Sequence, residues 1–232
     1  MKIIFPLLRR AFAGLSVLLL PVTLCAQPRT VVWDAANYPP ILQVHGVPQV
    51  IQTALGPAVE FNGSTDGVFV DEVPVKGMDE VTLEVIFNQY GDASFEQRFL
   101  HIGQVSGPRI MFETRVTPEK RWYLDVFVVM VQGSENAIVI DEQKTYPADR
   151  WYNATLVASG DSILAYVNGE LQGVSPLRFR QAITEGVTSI GVRQNLRSWF
   201  RGAIYKVRVT PKALKPEEFL KDYEALNNTS TQ

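Results

Sequence analysis

The sequence predicts an all-β fold, an antiparallel two-sheet sandwich that ends in one short C-terminal helix. Short apolar runs recur along the chain, and glycine, asparagine and aspartate separate them. Short strands at this spacing are typical of a β-sandwich. In residues 82–87 and 163–167 the side chains also alternate, so that one face of each strand is apolar and the other is mixed.

The predicted elements follow one another from an irregular entry segment. Residues 35–50 contain Pro39, Pro40 and Pro48, and because proline donates no ladder hydrogen bond we expect this segment to lie along a sheet edge. Strands are predicted at residues 58–61, 67–70, 81–88, 97–103, 109–116, 123–131, 137–141, 152–158, 162–167, 189–192 and 203–209. Asn168-Gly169 supplies the positive φ of a tight hairpin turn.

The last part of the chain departs from the strand pattern. Between residues 211 and 226 the large apolar residues are Leu214, Phe219, Leu220, Tyr223 and Leu226. Pro216 suits the first turn of a helix, where its missing N–H costs nothing. We therefore predict that one short amphipathic helix closes the domain.

The first 26 residues have the layout of a secretory signal peptide. Basic residues precede an apolar run from residue 11 to 20, which is too short to prefer spanning a bilayer. Cleavage after Ala26 would leave residues 27–232 as a single secreted or periplasmic domain. Cys25 allows an alternative, a lipoprotein anchored through that cysteine, but such processing favours a small residue before the cysteine and Leu24 is large. We favour simple secretion.

Composition excludes several classes of function. Cys25 is the one cysteine of the chain, so after cleavage no disulfide, thiol nucleophile or thiolate metal site is available. The formal net charge is −2, and the first 26 residues hold basic but no acidic side chains, so the remainder is more acidic still. Nucleic acid requires a basic footprint, and we exclude it as a partner. We also expect no transmembrane span.

Four ordered segments resemble the laminin-G-like jelly roll of the concanavalin A-like lectin and glucanase superfamily. They are residues 58–68 (AVEFNGSTDGV), 81–87 (VTLEVIF), 150–171 (RWYNATLVASGDSILAYVNGEL) and 190–219, which ends in FRGAIYKVRVTPKALKPEEF. Together they span roughly residues 45–226. The resemblance implies a two-sheet jelly-roll sandwich, a scaffold that carries lectins, glycosidases, lyases and purely structural modules.

Two positions depart from the family pattern and bear on cofactors. Tyr205 stands where the family often has an aspartate, and Tyr152 stands where a histidine often follows the hairpin tryptophan. Calcium takes six to eight oxygen ligands, so the loss of that acid argues against a family-type calcium site. We expect no metal and no other cofactor.

A glycan-cleaving enzyme, either a hydrolase or a lyase, is the less favoured alternative. The glucanases of this superfamily use a Glu-x-Asp-x-x-Glu string on one strand, and none occurs here. Glu80 and Glu84 come nearest, but Glu84 matches a scaffold strand. We therefore assign no catalytic residue, and we expect His101 to be a hydrogen-bonded wall residue rather than a base. An enzyme would instead show two or three titratable groups converging in a cleft with shifted pKa values.

A non-enzymatic recognition module that binds carbohydrate is the favoured function. A sugar ring stacks on an exposed aromatic side chain while its hydroxyls meet polar groups. The candidate ligand-binding residues are Tyr90, Trp122, Tyr123, Arg197 and Trp199. Trp199 is either a stacking platform or a lid over a sheet edge, and both interpretations stay open. The partner is thus a glycan or, in an adhesive alternative, another extracellular protein that docks on a contiguous apolar patch.

Overall fold

The computed structural model describes residues 28–228, in which sixteen strands form two antiparallel sheets of eight strands each. The predicted signal peptide lies outside the described residues. Sheet A contains β1 (Val31–Asp34), β3 (Gln49–Thr53), β4 (Gly56–Asn62), β6 (Val81–Gln89), β12 (Trp151–Ser159), β13 (Ser162–Val167), β14 (Glu170–Pro176) and β16 (Arg201–Thr210). Sheet B contains β2 (Ile41–His45), β5 (Gly67–Val70), β7 (Glu96–Gly103), β8 (Arg109–Val116), β9 (Arg121–Val131), β10 (Glu135–Ile140), β11 (Tyr146–Pro147) and β15 (Val187–Ile190).

The strand order mixes distant parts of the chain. Sheet A runs β14-β13-β12-β6-β16-β4-β3, with β1 also paired to β16, and sheet B runs β10-β9-β8-β7-β15-β5-β2, with β11 beside β9. The late strand β16 lies between β6 and β4 in the middle of its sheet. The entry segment supplies β2 and β3, which are the last strands of sheets B and A, so its predicted edge position is confirmed.

The main core fills the space between the two sheets. Phe87 from sheet A stacks on Phe99 from sheet B, with ring centroids 4.6 Å apart, and Phe200 packs against both rings. All three side chains are fully buried. Such aromatic pairs add to the free energy gained by burying their area, so the two sheets are held face to face at this cluster.

The hairpin at residues 151–167 and its second turn form as predicted. β12 pairs with β13 in register from Ala154–Val167 to Ser159–Ser162, and Asn168 and Gly169 both have positive φ (52° and 82°) at the turn into β14. β14 itself was not predicted, because a register shift interrupts its pairing with β13 and Gly173 breaks its apolar alternation.

The C-terminal helix is present but shorter than predicted. A 3₁₀ turn covers Pro216–Glu218 and the helix α1 covers Asp222–Asn228. Between them the chain is extended, because the backbone N–H of Leu220 donates to the carboxylate of Glu84 (2.7 Å). Leu226 of α1 then packs on Trp151 and its neighbours. The C-terminal segment therefore covers the outer face of sheet A, and no helix among residues 28–228 covers the outer face of sheet B.

Candidate functional site

The outer face of sheet B, here called the open face, carries polar and aromatic side chains from adjacent strands. Alternation on β8 and β9 points one set of residues into the core and the other set outward. Cross-strand pairing places Arg98, Glu113 and Asp125 in one row. The next row contains His101, Met111 and Phe127. Charged groups and an aromatic ring are thus direct neighbours on this face.

Buried ion pairs link the charged row. Glu113 lies 2.9 Å from Nε of Arg98 through one oxygen and 3.0 Å from Nη2 of Arg115 through the other. The same Nη2 atom lies 2.7 Å from Asp125 Oδ2. Glu113 and Asp125 are only 2% and 6% exposed, and buried carboxylates persist where guanidinium groups compensate them. The network is therefore a fixed array of hydrogen-bonding groups.

Asp125 is the member of this network whose ionised form is destabilised by its surroundings. Burial and the neighbouring charge of Glu113 raise the pKa of Asp125 to about 6, although Arg115 acts in the opposite direction. Its second oxygen, Oδ1, is buried and has no hydrogen-bond partner. A buried, ionised carboxylate with an unpaired oxygen normally costs folding free energy. We therefore expect Asp125 to take up a proton in mildly acidic solution.

A pocket of about 230 Å³ opens over this network. Its lining residues are Arg98, Met111, Glu113, Arg115, Asp125, Phe127, Ile138 and Arg193. The volume is below the roughly 300–1,000 Å³ of sites that enclose a whole small molecule. The pocket therefore suits one unit of a larger ligand that lies across the open face.

A rim loop, residues 191–199, carries Arg193 to this pocket. The loop starts at Gly191, whose φ is +81° and where a Cβ would lie 2.2 Å from the Phe61 ring, so glycine is required. At the other end the Ser198 carbonyl accepts from the Arg98 N–H (2.9 Å), and the Ser198 hydroxyl lies 2.5 Å from Arg98 Nη1. Both ends of the loop are thus fixed to the sheet.

His101 is a fully buried wall residue beneath the rim loop. Its Nε2 lies 3.1 Å from the Gln104 carbonyl, and its Nδ1 accepts the backbone N–H of Gln194 (3.3 Å). Burial lowers the pKa of His101 to about 4, against the opposing effect of its hydrogen bond to Gln104. The imidazole is therefore neutral at pH 7 and holds the loop, as the sequence predicted.

Two of the five candidate residues lie on the open face or on its rim loop. Tyr123 is on the open face directly across from Arg115, although only 6% of it is exposed. Arg197 is exposed on the rim loop, where its carbonyl accepts the backbone N–H of Arg193 (3.3 Å). Neither residue is among those that line the pocket.

The other three candidates lie elsewhere. Trp122 offers no face to a sugar, because alternation on β9 turns it into the core, where it is fully buried against Phe87. Tyr90 packs on the outer face of sheet A with the Arg201 guanidinium 4.9 Å above its ring. Trp199 lies edge-on to His45 (6.2 Å) at the β2 side of sheet B and is half-buried, an arrangement closer to a lid than to a free platform.

Sequence reasoning missed Phe127, Met111 and Arg193. The signal was present on β8, where Arg109, Met111, Glu113 and Arg115 share one face and the intervening residues are mostly apolar. A strand with arginine and glutamate at every second position presents a charged face, and Phe127 lies across from Met111 on the next strand. Arg193 carried no such signal, since loop geometry alone brings it to the pocket.

The residues considered as catalytic carboxylates or as calcium ligands do not lie together in one site. Glu84 is fully buried beneath the C-terminal segment, whereas the exposed Glu80 accepts from the Ser159 hydroxyl (2.9 Å). Tyr205, at the position that would be an acid in a calcium site, donates its hydroxyl to the Leu55 carbonyl (3.0 Å). Across residues 28–228 no group of three or more His, Cys, Asp or Glu side chains is arranged so that it could hold a metal ion.

Among residues 28–228 we find no helix that is both long enough and apolar enough to cross a membrane.

Two eight-stranded antiparallel sheets packed face to face, with a charged and aromatic outer face, define a jelly-roll sandwich. A laminin G family model, described as the concanavalin A-like lectin/glucanases superfamily, matches residues 62–219, and the chain belongs to this superfamily. No curated protein sequence matches the chain.

Solved structures with the same fold have low sequence identity. Domain 4 of AbnA, a GH43 extracellular arabinanase from Geobacillus stearothermophilus solved with arabinotriose, is 16% identical with a TM-score of 0.50, over 82% of this chain and 85% of that chain. The receptor binding domain of botulinum neurotoxin C/D mosaic serotype is 15% identical with a TM-score of 0.53, over 85% and 47%. A structure of botulinum neurotoxin type C is 9% identical with a TM-score of 0.56, over 79% and 46%. This chain therefore spans about half of each toxin chain, and these similarities show the fold alone.

Proposed function

We propose that this protein is a carbohydrate-binding module that holds its ligand in the open-face pocket. The observation that carries the proposal is the combination of a fixed Arg–Glu–Arg–Asp network with the half-buried ring of Phe127 in one pocket. Guanidinium groups donate to sugar hydroxyls and carboxylates accept from them, while the ring supports the apolar face of the sugar. Because the network is already paired, little ordering is needed on binding.

The structural neighbours agree with this assignment. Domain 4 of the arabinanase was solved with arabinotriose, and type C neurotoxin is described as dependent on two ganglioside molecules for cell entry. A jelly roll of this superfamily is therefore a scaffold on which glycan sites occur. We place the site of this chain on the open face because its pocket contains the described ion-pair network.

The first test measures binding of the purified protein to a panel of polysaccharides by calorimetry. We expect saturable binding that weakens about tenfold in Phe127→Ala, which corresponds to about 1.4 kcal/mol. Phe95→Ala removes an exposed ring outside the pocket and should leave affinity unchanged. If Trp199→Ala abolishes binding while Phe127→Ala does not, the site lies at the β2 edge instead.

A glycan-cleaving enzyme is the second candidate, and one observation favours it. Glu113 and Asp125 are two carboxylates on one pocket wall, and the pKa of Asp125 is raised to about 6. Against this, Nη2 of Arg115 contacts both carboxylates, at 3.0 and 2.7 Å, so a guanidinium group occupies the space between them where the reacting bond of a substrate would have to lie. Release of reducing ends or unsaturated products, lost in Asp125→Asn, would select the enzyme.

A protein-docking function has one feature in its favour. Strands β2 and β3 and the turn between them expose Ile41, Leu42, Val44, Val47 and Val50. Exposed apolar edges of this kind mark protein contacts. Recovery of a stable protein partner that is lost in Val47→Asp, together with no polysaccharide binding, would favour docking over carbohydrate recognition.

Export completes the proposal and rests on the sequence pattern of residues 1–26. Amino-terminal sequencing of the protein from its native host should give Gln27 as the first residue. An acylated Cys25 would instead identify a lipoprotein.

A further inference from the structure

Two arginines beside the pocket lack a counter-ion. Within residues 28–228, neither Arg109 nor Arg193 has a carboxylate oxygen within 4.0 Å, unlike Arg98 and Arg115. Arg109 is only 6% exposed, and its Nη1 donates to two neutral acceptors, the Gly107 carbonyl (2.7 Å) and Gln132 Oε1 (2.8 Å). The Nε atoms of Arg109 and Arg193 are both buried and have no hydrogen-bond partner.

The two guanidinium groups lie on the same side of the open face. The Arg109 guanidinium sits 5.3 Å over the ring of Phe127, which lines the pocket together with Arg193. Gln194, next to Arg193, donates its backbone N–H to His101, and His101 pairs with Met111 on the strand that carries Arg109. These contacts gather both arginines around one neutral imidazole.

Positive charge is in excess at this end of the pocket. The site holds Arg98, Arg109, Arg115 and Arg193 against the carboxylates Glu96, Glu113 and Asp125. Burial lowers the pKa of both Arg109 and Arg193, and the charge of Arg193 lowers that of Arg109 further. A partly buried guanidinium without an anion retains an uncompensated desolvation cost. A bound anion offsets this cost, and guanidinium groups bind carboxylates and tetrahedral oxyanions through two parallel hydrogen bonds.

We infer that the glycan bound at this pocket carries an oxyanion, either a sugar carboxylate or a sulfate ester. Arg193 binds this oxyanion directly, and the more deeply buried Arg109 lies behind Arg193. The inference rests on the proposed carbohydrate function and specifies the chemical class of its ligand. A neutral glycan would leave the guanidinium groups of Arg109 and Arg193 without a counter-ion, whereas an acidic sugar unit would supply one.

The test compares pairs of polymers that share a backbone and differ in charge. Polygalacturonate against its methyl ester tests a carboxylate, and dextran sulfate against dextran tests a sulfate ester. We expect the protein to bind the charged member of at least one pair tenfold or more tightly. In Arg193→Gln the ratio should fall below threefold.

Two further variants keep the result interpretable. Arg178→Gln removes the same charge from a side chain that is 77% exposed outside the pocket, and it should keep the preference, which controls for non-specific attraction of polyanions. Arg193→Lys keeps the charge but loses the planar fork, so it should retain only part of the preference. Equal melting temperatures would show that all variants are folded.

The outcomes separate the two proposals. Equal affinity for both members of each pair, or binding confined to a neutral glycan such as arabinan, would overturn the oxyanion inference and leave carbohydrate binding in place. A charge preference that survives in Arg193→Gln would overturn the assignment of the residue. Failure to bind any member of the polysaccharide panel would overturn the proposed function, and the inference with it.

Discussion

As the pH rises, the ionisation of Asp125 lowers the free energy of unfolding, whereas the deprotonation of His101 raises it. The folded pKa of Asp125 is about 6, above its ordinary 3.8, so its ionisation destabilises the fold as the pH rises from about 4 to 6. The folded pKa of His101 is about 4, below its ordinary 6.5, so its contribution is full above pH 6.5 and is lost as the pH falls towards 4. Each effect is worth about 3 kcal/mol, and the two largely cancel.

Replacing Asp125 with asparagine should reveal the pH dependence of stability that His101 causes. The amide avoids ionisation, so at pH 7.5 we expect the variant to be more stable than the parent by about 1–3 kcal/mol. Below pH 6.5 its stability should fall more steeply, and the two curves should meet near pH 4. Urea unfolding at a series of pH values measures both curves.

Asp161, whose side chain is 84% exposed, provides the matched control for this experiment. Asp161→Asn should follow the parent at every pH. If the curve of Asp125→Asn also ran parallel to the parent, Asp125 would not titrate near pH 6 in the folded protein. A gain in stability combined with weaker ligand binding would indicate that the ionised carboxylate is retained for function.

At the residue scale, alternation decides which candidates could be predicted. Trp122 and Tyr123 are adjacent, and because a strand turns successive side chains to opposite faces, both cannot meet one ligand. The predicted strand began at Tyr123 and left Trp122 outside it, whereas β9 begins at Arg121. Once the strand is extended by two residues, the tryptophan belongs to the core. The ion-pair network around Glu113 joins residues of three strands, and such pairing between strands is not visible in a single sequence.

At the scale of elements, Glu84 joins the C-terminal segment to sheet A. One carboxylate oxygen accepts from the Leu220 N–H (2.7 Å) and from the Asn153 amide (3.2 Å), and the other contacts the Arg208 guanidinium. Asn153 also donates to the Leu220 carbonyl (2.9 Å). The extended stretch before α1 is therefore held by a carboxylate that lies far away in the sequence.

Truncation of this carboxylate should be costly. Glu84→Ala leaves Arg208 and the Leu220 N–H without their partner, and we expect the free energy of unfolding to fall by about 3–5 kcal/mol. Limited proteolysis should then cut the chain after residue 218 before it cuts elsewhere. The exposed Glu80 offers a control, because Glu80→Ala should change stability by less than about 0.5 kcal/mol. A loss below 1 kcal/mol in Glu84→Ala would contradict the anchoring described here.

The elements that the sequence predicted well are those with a local cause. β13 alternates between half-buried and buried residues, β6 alternates between apolar and polar residues over most of its length, and the Asn168-Gly169 turn carries its own backbone preference. The start of α1 was misplaced because Pro216 is a local helix signal, whereas the contact that keeps residues 219–221 extended comes from Glu84. A pattern that is read over a short stretch of sequence cannot reveal a hydrogen-bond partner 136 residues away.

At the scale of the whole molecule, the two outer faces differ. The C-terminal segment covers sheet A with Leu226 and neighbouring side chains, while sheet B presents its charged rows without such a cover. The scaffold could be recognised because its four segments form the strands and turns that any jelly roll of this family needs. The ligand could not, because the pocket draws its residues from β7, β8, β9, β10 and the rim loop, and the pairing between these segments decides which charged groups lack a counter-ion.

The position of β16 also bears on how the molecule is made. Residues 201–210 lie between β6 and β4 and also pair with β1, so sheet A stays divided into three separate pieces until β16 has been synthesised. Pairings between such distant segments form slowly, and incomplete chains expose strand edges and apolar faces. We therefore expect sheet A to be completed only after residues 201–210 have been synthesised, and shorter nascent chains to remain incompletely folded.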